Sequence, residues 1–389
     1  MHIREYGEDD LDAVFRLRRV AFNSTERPER LVRPGTHGLV AEVDGQVAGV
    51  LGIGAYAQFY GGAAVPMGGI GGVAVDGSFR GRGVAGALLD AALGVMREQG
   101  QVVSALYPTV PALYRGFGWE RAGRFEWVEL PMDRVLSIPG PAERVPARPA
   151  RESDLAAIHE CYLEVARTVD GLADRRPPRI DPAEVLELDV VTVLPGPDGL
   201  RGYLTAKREP GDGMGRLKVF DLVGADLDAQ LTLLASLKSW AGTLEAVDLR
   251  IVDPATVDLL GATPVRHSVL TSTWMLRVVD LPAAVAARGW SCTGDPAADL
   301  AVDLEVVDPR APWHAGPCRI VASDGVVRVE PGGSGAVRVH ARALGPWFSG
   351  LQNTHALRRA GLLEGDPADA VALDRLVGSA GVPRLADFF

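Results

Sequence analysis

Between Gly71 and Leu93 the chain reads GGVAVDGSFRGRGVAGALLDAAL, with Arg80, Gly81, Arg82 and Gly83 gathered at one handover between an apolar run and a second apolar rhythm. Two arginines supply charge-assisted donors. Two glycines let a backbone curl its amides inward and leave no Cβ in the way of an approaching group. If a helix begins just after them, its unpaired N–H groups and the positive end of its dipole complete an anion site. The anion that matches this combination is a diphosphate. The known phosphate loops do not account for it. GxxxxGK[ST] is absent, and GxGxxG with an acidic residue about 20 positions further on is not met here.

The elements needed to hold that turn are written on either side of it. GIGGVAVDGSF is rich in glycine and β-branched residues and predicts a strand, while GVAGALLDAALGVMREQG carries apolar residues at helical spacing. The wider chain has 389 residues, which suggests two or three domains at roughly 150 residues each. Its 47% hydrophobic and 23% charged composition is that of a folded protein. A net charge of −10 argues against a general nucleic-acid binder and favours cationic partners such as amines. Cys161, Cys292 and Cys318 lie far apart with no metal-ligand or disulfide spacing, so no metal is expected and a reducing, cytoplasmic setting fits best. No secretory signal and no apolar stretch of about 18 residues is found, so no membrane span is expected.

Proline-rich SIPGPAERVPARPA (137–150) and a weaker break at 280–296 divide the chain into three blocks, 1–140, 146–282 and 286–389. The first two carry an internal echo. IREYGEDDLDAVFRLRRVAF from Ile3 aligns with ARPARESDLAAIHECYLEVA from Ala147 at an offset of 144, so that Arg4, Glu8, Asp10, Leu11 and Ala13 meet Arg148, Glu152, Asp154, Leu155 and Ala157. In both, a short extended segment leads into an acidic helix start. LVAEVDGQVAGVLGI and VTVLPGPDGLRGYLTAK both read as strand, DG turn, strand, which supports a shared fold. The third block alternates short β-like runs with turns and then becomes helical, an α+β unit with a small antiparallel sheet that ends in PRLADFF.

Arg80-Gly-Arg-Gly83-Val-Ala85 resembles the Q/R-x-x-G-x-G/A signature of GCN5-related N-acetyltransferases (GNAT), which hold the pyrophosphate of acetyl coenzyme A at this turn. LYRGFGWERAG (113–123) is similar to their closing segment. Two such domains plus an α+β tail ending in Phe-Phe resemble the enhanced intracellular survival (Eis) acetyltransferases over nearly the full length. The resemblance implies a mixed α/β, α+β architecture of tandem GNAT-like domains followed by a sterol-carrier-like domain, a direct transfer of acetyl from acetyl-CoA to an amine, and a homohexamer. Polycationic amines such as aminoglycosides are the expected acceptors.

Residue by residue, the resemblance places coenzyme contacts on the main chain of Val73, Ala74 and Val75 and on Arg80, Gly81, Arg82, Gly83, Val84 and Ala85, with the Thr109 hydroxyl near the sulfur. Tyr114 stands at the position of the general acid, a role a phenol can fill because it is a donor at neutral pH. No convincing histidine base occurs in the first block, and the resemblance points instead to the terminal carboxylate of Phe389. A free α-carboxyl has a pKa of about 3.3–3.7 and a primary amine about 10, so that transfer is uphill without burial or a water relay. Glu26, Glu29 and Asp387 are expected to give the acceptor pocket negative charge, with Phe22, Tyr56, Phe59 and Phe388 lining it. Trp313, Trp347 and Phe348 are expected in the third block's core. The second block lacks the arginine-glycine turn at Gly224-Ala225-Asp226-Leu227, where Asp226 and Asp228 would repel a diphosphate; one active site per chain is expected. Two rival readings are a non-catalytic acyl-CoA sensor or scaffold and a lipid carrier acting through the third block.

Overall fold

The computed structural model describes residues 1–178, 180–210, 214–260, 273–291, 300–378 and 381–389. Cys292 and the stretch 261–272 of the second block lie outside the described residues. The chain forms two units: Met1–Gly123 with Thr273–Pro383 and Phe388–Phe389, and Arg124–Ser272 with Arg384–Asp387.

The first unit holds two sheets. One has seven strands in the order His2–Glu5, Thr36–Val43, Gln46–Tyr60, Ala63–Val75, Val103–Leu106, Met275–Val278 and Glu120–Arg121. Asp44 and Gly45 both have positive φ, the geometry of a two-residue hairpin that matches strand twist, and they join Val43 to Gln46. The helix Val84–Glu98 buries Val84, Leu88, Leu89, Ala92, Leu93 and Met96 in a core shared with Leu39, Leu51 and Ile53. Its apolar residues recur every three or four positions because only that spacing keeps them on one face. Each buried leucine contributes about 1.5–3 kcal/mol. The other sheet has five strands in the order Val326–Pro331, Gly316–Ser323, Leu300–Val307, Val337–His340 and Leu363–Glu364. It is not wholly antiparallel, since Leu300–Val307 and Val337–His340 run parallel. The helices Thr354–Arg359 and Pro367–Val377 pack with it, whereas Ala341–Phe348 packs mainly on Met275–Val278 of the seven-stranded sheet; Trp347 and Phe348 are buried.

The second unit has one sheet, ordered Trp127–Pro131, Leu244–Arg250, Gly215–Gly224, Gly199–Glu209, Val190–Gly196 and Arg148–Pro149. The helix Leu227–Ser236 buries Leu231, Leu233 and Leu234 in its core. The internal echo is structural. In the first unit Arg4 donates to both oxygens of Asp10 at 2.8 Å, and Asp10 accepts from the Gly7 amide at 2.9 Å. In the second, Arg148 donates to Asp154 at 2.7 and 2.8 Å, and Asp154 accepts from the Arg151 amide at 2.8 Å.

The strands are shared out differently from the proline-marked blocks. Trp127–Pro131 pairs with Leu244–Arg250 in the second unit's sheet, whereas Met275–Val278 enters the first unit's sheet between Val103–Leu106 and Glu120–Arg121. Prolines mark where the chain cannot remain helical or pair centrally; they carry no information about which sheet accepts a four-residue strand.

Candidate active site

The strand Ala63–Val75 leads into the turn through Asp76, whose carboxylate accepts from the Ser78 amide at 3.0 Å and its hydroxyl at 2.6 Å. Those bonds hold the Asp76 carboxyl below the usual range. Gly81 (φ 75°) and Gly83 (φ 80°) are both left-handed, a backbone that strains any residue with a Cβ. A β-carbon added at either would meet nothing within 4 Å, so open space faces both glycines. The first helical amide to bond back is that of Ala87, to Gly83 O at 3.0 Å, which leaves the Val84, Ala85 and Gly86 amides at the terminus. Gly86 is needed for packing, because its β-carbon would stand 2.8 Å from the Phe117 ring. Arg80 is exposed and lines the cavity in front of this terminus.

Upstream the sheet opens. Parallel pairing with Val103–Leu106 runs from Met67 to Ile70 and ends. Beyond it, pairing with Gln46–Tyr60 shifts register between Gly52↔Gly71 and Val50↔Ala74, leaving one extra residue on this strand at Gly72 (φ 63°). The Asp76 amide donates to Ala48 O at 2.9 Å. Since successive amides alternate along a strand, those of Val73 and Val75 turn to the open edge.

The end of the chain lies in that opening. The Phe389 ring centroid is 5.2 Å from Tyr56 and 5.4 Å from Tyr107, and Phe388 is 4.7 Å from Tyr107. Glycines make the groove: a β-carbon at Gly69 would come 2.7 Å from the Phe389 ring, and one at Gly71 would come 3.2 Å from its terminal oxygen. A cavity of about 810 Å³ is lined by Arg80, Gly81 and Gly83–Gly86 of the turn, the open-edge residues Val73–Val75, Thr109, Tyr114, Phe388 and Phe389. Tyr114 is 8% exposed, and burial pushes its phenol up, so the hydroxyl holds its proton at neutral pH.

Not every residue singled out in the sequence is brought here. Arg82 turns away: its Nη2 is 3.5 Å from Asp44, its guanidinium lies 5.1 Å over the Phe79 ring, and it does not line the cavity. The Asp44 carboxylate and the Phe79 face offer a cation closer partners than the cavity does. Phe22 does line it; Glu26 and Glu29 are exposed in the loop beyond and do not. Asp387 is a member of the second unit, where Arg175 Nε bonds both its oxygens at 3.1 Å. Phe59 is 2% exposed and belongs to the core. Trp313 is partly buried, its indole donating to Val279 O at 2.8 Å. Tyr107 was missed. Its signal was positional, at the end of a four-residue strand and followed by proline, where side chains face the opening.

Two cysteines can be judged. Burial pushes the Cys161 thiol up to about 12 and the Cys318 thiol up to about 11, which removes both as thiolates at neutral pH.

In the second unit the corresponding helix terminus is already filled. Asp226 caps Leu227–Ser236 by accepting from the Ala229 amide at 2.9 Å, and Arg201 grips the same carboxylate at 2.8–3.0 Å. The cleft beside it carries Glu164, Asp226, Asp253 and Asp258. Asp228 acts elsewhere, accepting from the Ala142 and Glu143 amides at 2.8 and 3.3 Å.

Residues 2–122 match the acetyltransferase (GNAT) domain family, and residues 281–386 match the sterol carrier protein domain family. The chain carries a GNAT acetyltransferase domain and is an acetyltransferase. It is 26% identical over 342 residues to an uncharacterized N-acetyltransferase of Streptomyces coelicolor, covering 80% of this chain and 78% of that one. A crystal structure of a GCN5-related N-acetyltransferase from Kribbella flavida, 28% identical, superposes with a TM-score of 0.83 over 100% of both chains. Eis1 from Mycobacterium abscessus, 21% identical, has the same fold with a TM-score of 0.75 over 100% of both chains. Among the described residues of this acetyltransferase, no helix is long and apolar enough to cross a membrane.

Proposed function

We propose that this acetyltransferase moves an acetyl group directly from acetyl-CoA to the amine of a small polycationic acceptor, with aminoglycosides and polyamines as the first candidates. One observation carries the reading: residues of the glycine-arginine helix terminus, Tyr114 and Phe389 line one cavity. Acetyl-CoA supplies the thioester and its diphosphate. Gly81, Gly83 and the Val84–Gly86 amides suit the diphosphate, since the open space before them has the donors and the positive dipole end that such a group needs. Arg80 adds its charge there, and Val73 and Val75 offer amides to the acyl and pantetheine portion.

The Phe389 carboxylate takes the proton of the acceptor ammonium, and Tyr114 returns a proton to the departing sulfur. Full transfer is uphill for a carboxyl of about 3.3–3.7 against an amine near 10, so the carboxylate takes the proton, directly or through water, as the forming C–N bond acidifies the nitrogen. Neither described thiol, each buried and protonated, carries the acyl group. The second unit keeps the fold and binds no coenzyme, because Asp226 holds its helix terminus. The 1–140 and 146–282 blocks, with Trp127–Pro131 and Met275–Val278 exchanged between their sheets, are read as the two acetyltransferase-like domains and 286–389 as the sterol-carrier-like one; a cytoplasmic homohexamer is the expected assembly.

Release of free thiol from acetyl-CoA on adding a panel of aminoglycosides and polyamines tests the reading. Steady turnover with at least one amine is expected. Calorimetric binding of acetyl-CoA with no turnover on any amine would leave a sensor, and a copurified lipid with no coenzyme binding would leave a carrier.

A further inference from the structure

The final six residues are divided between the units: Arg384–Asp387 belong to the second and Phe388–Phe389 to the first. Within the second unit those four residues are held one by one. The Arg384 amide donates to Asp170 O at 2.8 Å and its guanidinium bonds the Glu126 carboxylate. The Leu385 amide donates to Arg124 O at 3.0 Å. The Ala386 carbonyl accepts from Arg250 Nη1, and Asp387 accepts from Arg175 Nε.

Arg175 and Arg250 are themselves locked to a third carboxylate. Asp221, 3% exposed, accepts from Arg175 at 2.6 and 3.0 Å, from Arg250 Nη2 at 2.9 Å and from the Tyr203 hydroxyl at 3.1 Å. Arg250 Nε donates to Phe220 O at 2.7 Å, and the Arg175 guanidinium lies 3.9 Å from the Tyr162 ring centroid. Desolvating such a cluster costs more than an apolar core of equal volume, so stability is a poor reason for it; a fixed geometry is a better one. Asp221 sets the two forks, and the arginine groups left over point at the backbone and side chain of the tail.

We infer that the Arg175–Asp221–Arg250 cluster is a clamp for Ala386 and Asp387, and that Arg175, Arg250 and Asp387 are positioning residues which fix the register of the chain two residues before Phe389. The positioning role rests on the reading of Phe389 as base; the clamp itself does not. On this account the cluster bears on the terminal carboxylate only through the chain, by setting the register of Ala386 and Asp387.

The clamp is tested on full-length protein with Asp387→Asn, a change at a partly exposed site that leaves the Asp221 core intact, and with Arg175→Lys, which keeps the charge but loses the fork. Carboxypeptidase A is the probe, because it releases a terminal phenylalanine only when the tail leaves its place. Loss of a charge-assisted bond predicts Phe389 release faster by about tenfold or more in Asp387→Asn. A kcat lower by about tenfold or more, at an unchanged KM for acetyl-CoA, is expected alongside it. Arg175→Lys falls between this and wild type, and Asp387→Glu restores slow release. Release at the wild-type rate in both Asp387→Asn and Arg175→Lys overturns the clamp. Removal of Phe389 alone separates the two readings: if that protein still turns over, the base assignment fails, while the release rates judge the clamp independently.

Discussion

At Gly83 a helix opens with two left-handed glycines before it and open space beyond, and at Asp226 the matching helix of the second unit opens with its own carboxylate folded over the amides. Both termini carry the same positive dipole end. In the first, no side chain among the described residues caps it, so an external anion is favoured. In the second, Asp226 and Arg201 satisfy each other and the terminus at 2.8–3.0 Å, and the adjoining cleft adds Glu164, Asp253 and Asp258. On the proposed reading, one fold serves as a coenzyme site or as a scaffold according to what occupies three or four positions at a strand-to-helix handover. The Arg–Asp latch at the start of each unit is untouched by that divergence, since it serves folding in both.

The largest effects should come from the groups only the first unit has. Removing Phe389, or changing Tyr114→Phe, is expected to lower kcat by about 10²–10⁴-fold with little change in acetyl-CoA affinity. Stopped-flow single turnover separates this from a binding defect, and a truncated enzyme with normal kcat rejects the terminal base. Next in size is a direct conversion of one terminus toward the other: Gly83→Asp strains a left-handed site and puts a carboxylate at the amides. Acetyl-CoA Kd, measured by calorimetry, should rise by about 100-fold or more.

The latches should respond alike. Asp10→Asn and Asp154→Asn are each expected to cost about 1–2 kcal/mol in denaturant unfolding, less than a buried pair because Arg4 and Arg148 are partly exposed. Asp154 titrates at about 2 in the folded state, held down first by its bonds from Arg148. A depressed carboxyl stabilises above its unfolded pKa near 3.9, so its contribution should be complete at neutral pH and disappear as pH falls from about 4 to about 2. The smallest effect sharpens the comparison. Asp226→Gly should leave acetyl-CoA binding undetectable at the second terminus, because the acidic cleft remains. Because burial raises the Tyr114 pKa, its protonated form persists through the ordinary alkaline range, and the kcat/KM profile should rise as the acceptor amine loses its proton, with no loss assignable to Tyr114 below about pH 10.

Local chemistry was legible in the sequence where one residue type has one physical use. The two glycines flanking Arg82 announce left-handed backbone, the apolar spacing of Val84–Glu98 announces a helix, and their junction announces an anion site. The Arg4/Asp10 and Arg148/Asp154 correspondence was equally readable, because an offset of 144 preserves residue type and spacing together. The acceptor pocket was not. Glu26, Glu29 and Asp387 share only their charge with a cation-binding wall, and charge alone does not say which way a side chain faces; Asp387 meets Arg175 instead. Arg82 shares its sequence neighbours with the turn, yet its guanidinium pairs with Asp44.

By itself the sequence determined the elements, the duplicated framework and the turn that can grip a diphosphate, all of which depend on residues within one helical turn or one strand of each other. Tertiary structure decided what depends on distant partners: which sheet receives Trp127–Pro131 and which Met275–Val278, that the splayed strand with its Gly69 and Gly71 makes room for the last residue, and that Tyr107 faces it. Short strands and a chain end carry too few side chains to specify their own pairing. Where they lodge is chosen by unmatched backbone groups and space that exist only once the rest has folded.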